Sequence, residues 1–198
     1  MFQKTSSGSI SKQSGATLII ALIILVIMSM IGISNMQSST MQERMASNNR
    51  QKNLALQAAE SALRAAEGDL RVNVVKTEDL SKFDGSDGRY SAVNRSPGEA
   101  AVPLAIDVNT VTAWDASGVA QELSTYKVSS KAPRYVIEYL GRDVGASGRK
   151  VTEIGYVNTE NTDPYVFRIT AIGWGKDENI YAVVESTYRT GYGDDFVY

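Results

Sequence analysis

The 198-residue chain contains no histidine and no cysteine, which removes the commonest general base, the commonest zinc ligand, thiol nucleophiles and disulfides from its chemistry. Its 20 Lys and Arg against 22 Asp and Glu leave a formal net charge of −2, and no basic cluster stands out to track a phosphate backbone, so no nucleic-acid partner is expected. An enzyme built from this chain would have to work through Asp, Glu, Lys, Ser or Tyr.

The first element is a polar leader, residues 1–15, with Lys4 and Lys12, no acidic residue, and Ser14-Gly15 at its end. An apolar run begins abruptly at Ala16 (ATLIIALIILVIMSMIGI), and no charge occurs from Ala16 to Gln42. A helix rises about 1.5 Å per residue and needs roughly 20 apolar residues to cross a bilayer core, so residues 16–42 read as a transmembrane segment. Both leader lysines precede it and the first acid, Glu43, follows it. The positive-inside bias then keeps the leader cytoplasmic and sends the rest outward. A secretory signal would carry a small-x-small cleavage site behind the run, where Gly-Ile-Ser-Asn-Met-Gln stands instead. The better cut lies in front, between Gly15 and Ala16, and it would leave the anchor on the protein. Loss of the leader removes Lys4 and Lys12, giving 18 basic against 22 acidic residues, or −4.

The helix is expected to continue without a break to about Leu70, because all four prolines (Pro97, Pro103, Pro133, Pro164) come later. Gly32, Ser34, Asn35, Ser38, Ser39 and Thr40 make one section intrinsically weak. In the amphipathic half, residues 43–71, Leu56, Ala59, Leu63, Ala66 and Leu70 recur at helical period and form the stripe on which a sheet should dock, with Leu63 buried between the two. Glu60 with Arg64 and Glu67 with Arg71 add i,i+4 pairs worth a few tenths of a kcal/mol each. Methionines 28, 30, 36, 41 and 45 read as flexible packing groups.

Residues 72–198 are expected to fold as one head. Thr77 to Asp115 reads as a long connection with a Gly-Ser-Asp-Gly turn and two prolines. Arg134–Leu140, Tyr165–Trp174 and Ile180–Tyr188 are rich in β-branched and aromatic residues and read as strands, the last two as a hairpin across Gly175-Lys176-Asp177-Glu178-Asn179. Short strands at Gly155–Val157 or Leu123–Val128 are further options, and Gly191–Tyr198 reads as loop. No short motif carries chemistry. Gly145-Ala146-Ser147-Gly148 lacks the spacing of a nucleophile elbow, and Gly173-Trp174-Gly175 leads into a hairpin and offers a phosphate no helix N-terminus. Asp84-Gly85-Ser86-Asp87-Gly88 lacks the remaining oxygens of a calcium loop, and Asp194-Asp195 reads as solvated. No catalytic residue, metal or cofactor is expected.

Lys12-Gln13-Ser14-Gly15 followed by Ala16-Thr17-Leu18-Ile19-Ile20-Ala21-Leu22 resembles the class III signal of type IV pilins. Met41-Gln42-Glu43-Arg44-Met45-Ala46, Asn53 to Arg64, Phe167-Arg168-Ile169-Thr170-Ala171 and Glu185-Ser186-Thr187-Tyr188-Arg189 are similar to PilX-type minor pilins in particular. The likeness covers both ends of the chain and is weak between about Val74 and Lys131. It implies an α+β type IV pilin fold, a long N-terminal α-helix packed on an antiparallel β-sheet, and cleavage by prepilin peptidase between Gly15 and Ala16 with N-methylation of Ala16. It further implies residence in the inner membrane before assembly and in the pilus afterwards, and a role in priming pilus assembly at or near the tip. The implied partners are other minor pilins, the major pilin and a large PilY1-like tip adhesin.

Two family features are missing. The usual kinking proline falls at Gln37, and the glutamate usually found five residues after the cut is replaced by Ile20. A subunit without that glutamate cannot neutralise a neighbour's N-terminal amine, while its own amine can still receive a counter-charge from below. That asymmetry suits the tip. A type II secretion tip pseudopilin shares the absence but usually carries a large helical insertion for which this chain has little room. An uncleaved signal-anchored envelope protein is the other alternative, opposed by the abrupt Gly15–Ala16 junction.

Overall fold

A computed structural model of the chain describes residues 14–95, 98–143 and 164–190. The expectations for the leader before Ser14, for Gly145–Gly148, Gly155–Val157, Asp194-Asp195 and the tail 191–198 lie outside the described residues.

Helix α1 runs unbroken over Ser14–Asn73, 60 residues. Three of its hydroxyls bond within the helix: Ser29, Thr40 and Ser61 each donate to the carbonyl four residues back, at 2.7–3.0 Å. α1 ends three residues beyond Leu70, where Lys82 Nζ donates to the Asn73 carbonyl at 2.6 Å and supplies one partner for a carbonyl left over at the helix end.

Two units divide the chain, residues 1–48 and 49–198. In the first, every described side chain is exposed. In the second, α1 lies against a five-stranded sheet made of β1 (Arg89–Ser91), β2 (Gln121–Glu122), β3 (Arg134–Arg142), β4 (Tyr165–Trp174) and β5 (Tyr181–Arg189). The order is β1-β3-β4-β5, and β2 pairs with the start of β3 on the same edge as β1. All pairings are antiparallel except that of β1 with β3, which is parallel, so the sheet is mixed. β3 bulges between Tyr139 and Gly141 opposite β4, where Gly141 takes φ +108°. The expected strand over Leu123–Val128 does not form, and β2 lies just before it.

Strand alternation splits the sheet's side chains between two cores. On the helix side, Tyr135, Ile137 and Tyr139 of β3 and Tyr165, Phe167, Ile169 and Ala171 of β4 bury against Ala62, Ala66 and Leu70. Phe83 closes this core beside Phe167, with ring centroids 5.4 Å apart. On the far side, Val136, Ile172 and Trp174 are covered by Tyr90, Trp114 and the chain from Val102 to Ala120. That connection thus brings its own apolar row, pinned where Trp114 Nε1 donates to the Val108 carbonyl at 3.1 Å and the Tyr90 hydroxyl to the Val119 carbonyl at 2.9 Å.

The buried row on α1 is alanine-rich: Ala55, Ala58, Ala59, Ala62, Ala66 and Leu70, each with no exposed surface. Ala59, Ala66 and Leu70 thus stand in the seam. Leu63 is only half-buried at its margin, and Leu56 is 41% exposed, so the stripe expected from the leucines is corrected by a rotation toward the alanines. The cause is close approach. A Cβ added at Gly173 of β4 would stand 2.2 Å from the Ala59 amide nitrogen and 2.5 Å from the Ala55 carbonyl oxygen, leaving no room for a leucine between them. Gly175 likewise lies beside Gln51, whose Oε1 accepts the Lys176 amide at 2.7 Å. At the other end Arg71 Nε donates to the Tyr188 hydroxyl at 3.3 Å. With residues 51–59 beside 173–176 and residue 71 beside 188, α1 runs along β4 in the opposite direction.

Replacing Leu70 by Ala is expected to destabilise the head by about 2–5 kcal/mol, the range for deleting a fully buried leucine. Leu63→Ala should cost clearly less, a difference that urea unfolding of the two variants measures directly.

Candidate assembly site

Gly15 and Ala16 occupy the first turn of α1, and a Cβ built at Gly15 meets nothing within 4 Å. Behind them the apolar segment is uniform around its circumference. Leu18, Ile19, Ile20, Leu22, Ile23 and Ile24 are 51–69% exposed, and the continuous apolar run ends at Ile33. The segment is long and apolar enough to cross a membrane, and none of it is buried within the chain. A helix apolar on all sides is at home only in lipid or among other helices. Ile20 is 56% exposed in this setting and places a branched hydrocarbon where a carboxylate would be the segment's lone charge.

In the head, charged groups serve the fold. Asp69 of α1 holds Arg89 of β1 with three side-chain hydrogen bonds of 2.8–3.3 Å, and both side chains are largely buried. Arg168 bonds the buried Glu138 across β3 and β4. Lys131 bridges Asp115 and Glu178 at 3.0 and 3.6 Å, and its hydrogen bond to Asp115 chiefly raises its pKa. Asp84 turns its carboxylate onto its own loop, accepting the Ser86 amide at 2.9 Å and the Ser86 hydroxyl at 2.6 Å. Those two bonds hold it below the usual carboxylate range. Among the described residues no group of three or more Asp and Glu is placed to hold a metal.

A cleft of about 440 Å³ opens beside Thr77, Arg95, Tyr139, Arg142 and Tyr165. Its arginines are engaged: Arg95 Nη1 donates to the Ser81 carbonyl at 2.9 Å, and Arg142 bonds the Tyr165 hydroxyl and stacks 4.3 Å from its ring centroid. The described residues thus build an exposed apolar helix in the first unit and, in the second, a sheet packed on the end of α1.

Burial lifts two tyrosines on the helix side. Tyr135 is pushed up to about 12 by desolvation and then by the Asp69 carboxylate, and Tyr139 to about 12 by desolvation and then by Tyr165. Because the folded values lie above the unfolded value near 10, this contribution to stability is complete below about pH 10 and is lost as pH rises toward 12. Urea midpoints are expected to fall across that window, and Tyr135→Phe with Tyr139→Phe should flatten the fall.

A long N-terminal helix with an uncharged stretch of membrane length, whose end packs on one face of a mostly antiparallel sheet, defines an α+β pilin-like protein. The PilX N-terminal family matches residues 14–64, and the family described as type IV pilus assembly protein PilX, C-terminal, matches residues 77–190. The chain belongs to the PilX family and is a type IV pilus minor pilin. Neither curated proteins nor solved structures give a match. Membership makes the chain a structural component that associates with other parts of the pilus, with an apolar helix compatible with membrane anchoring.

Proposed function

We propose that this minor pilin primes pilus assembly and remains at or near the tip of the filament. In this reading prepilin peptidase cuts between Gly15 and Ala16, Ala16 is N-methylated, and the N-terminal side faces the cytoplasm until the subunit leaves the inner membrane. Other minor pilins, the major pilin and a large tip adhesin are its neighbours. The observation that carries the reading is Ile20. An uncharged Ile20 gives a subunit above it no counter-charge for its amine, while the Ala16 amine still accepts one from a subunit added beneath. A position with nothing of the same kind above it tolerates that asymmetry best.

Two measurements test it. An antibody to the head should label filament ends, and the protein should appear in sheared pili far below the abundance of the major subunit. Uniform labelling along filaments would refute the tip position. Ile20→Glu places a carboxylate in the apolar segment with no amine above to offset its desolvation, so pilus number should not rise and is expected to fall. A gain in assembly would show that a neighbour supplies that amine.

A further inference from the structure

The two edges of the sheet are finished differently. β1 is three residues long and is closed by Val102, which exchanges backbone hydrogen bonds of 2.8 and 2.9 Å with Ser91. β5 is nine residues long, pairs with β4 in unbroken register, and contains no proline, glycine, lysine or bulge. Proline, bulges and charged side chains, lysine above all, normally blunt an open edge, and of these β5 carries only the charges of Glu185 and Arg189.

The direction of its free groups follows from the ladder. The Thr190 amide donates to the Tyr165 carbonyl and the Gly175 amide to the Ile180 carbonyl. In an antiparallel pair alternate residues bond inward, so even-numbered residues of β5 face β4 while Tyr181, Val183, Glu185, Thr187 and Arg189 direct their N–H and C=O groups out of the edge. Among the described residues, these outward groups from Tyr181 to Thr187 make no hydrogen bond. The same odd-numbered residues carry their exposed side chains on the face away from α1, with Tyr181 and Val183 about 40% exposed.

We propose that this edge receives an extended strand of a different subunit of the pilus system, antiparallel to β5, with an apolar side chain opposite Val183 and a lysine or arginine opposite Glu185. The proposal rests on the assembly role argued above. A second copy of this chain fits poorly. The antiparallel register that uses all five outward residues pairs Tyr181 with Arg189, Val183 with Thr187, and Glu185 with Glu185 itself, a like-charge pair directly opposed. The same glutamate rewards a basic residue from another chain. Backbone bonds would supply affinity, and the alternating side chains specificity.

The test uses the full chain in detergent micelles, mixed one at a time with the other purified exported pilins of its own system and followed by amide hydrogen exchange. One of them should slow the Val183, Glu185 and Thr187 amides at least tenfold. Val183→Pro removes an outward N–H, leaves the inward-facing groups of β5 free to bond β4, and should abolish that protection while the head still folds. Glu185→Lys, which alters an exposed side chain alone, should weaken binding at least tenfold even if the proline variant folds poorly. Protection confined to other surfaces would overturn the proposal, as would binding indifferent to Glu185→Lys. Slow exchange of these amides in the isolated monomer would place a segment of the same chain there, and protection that grows with its own concentration would place a second copy there. Either result overturns it. Normal leader removal and pilus number together with an unprotected edge would overturn the edge proposal alone and leave the assembly role standing.

Discussion

Gly15→Val is expected to leave the chain uncut. A protease in the membrane must draw the scissile segment into an extended path through a narrow active site. Glycine permits this because it has no Cβ, whereas valine adds two branches next to the bond to be broken. The structure makes the substitution clean. Nothing lies within 4 Å of the added Cβ, so the helix and head have no reason to change. Valine is also the better helix former by a few tenths of a kcal/mol, so the variant should unwind at the cut site less readily than the parent. Mass measurement of membrane-extracted protein with and without prepilin peptidase reads the outcome. A variant that matures to the same mass as the parent would defeat the proposed cut at Gly15–Ala16.

Gly173→Val should have the largest effect on stability. Its Cβ would overlap the backbone of α1 at Ala55, Ala58 and Ala59, with contacts of 2.2–2.8 Å, and backbone cannot step aside as a flexible side chain does. Either β4 or the helix must lift, uncovering the alanine row and the aromatic groups below it. We expect a loss of more than about 3 kcal/mol, at or beyond the usual upper range for overpacking. A melting temperature within about 2 °C of the parent would mean that the seam is softer than these contacts require. The two glycines illustrate opposite needs: one keeps space open for an enzyme, the other has already used its space for a helix.

Much of this architecture is legible in the residues. β3, β4 and β5 begin within one residue of where β-branched and aromatic density places them, because that density is what a half-buried pleated surface demands. The unbroken α1 follows from the absence of proline before Pro97. The docking face misleads for a physical reason. Hydrophobic weight favours Leu56 and Leu63, but the contact is set by how near two backbones come, and that selects Ala55, Ala58 and Ala62. The clue lay elsewhere in the chain, in the glycines on both sides of Trp174, since glycine inside a strand often marks a close backbone approach. That the connection covers the sheet is legible through the pilin likeness, but its apolar row is hidden because Val102, Leu104, Ile106 and Val108 alternate like a strand while Pro103 and the short turns argue for a loop. It is a loop, and it packs with a strand's periodicity. β1, three residues long and parallel to β3, is too short to leave a pattern. Gly15, Ala16 and Ile20 depend on linear order alone, and the fold adds only their place on an exposed apolar helix.

The direction of α1 along β4 has a mechanical consequence. A pull along the helix axis meets the Gln51–Lys176 bond, the Ala55–Ala59 contacts at Gly173 and the Arg71–Tyr188 bond side by side. Tension therefore acts on the seam in shear, and the contacts must fail together. A helix crossing the strands at a right angle would be peeled from one end, each contact broken in turn at low force. By its geometry the seam resists a pull along α1 better than one across it.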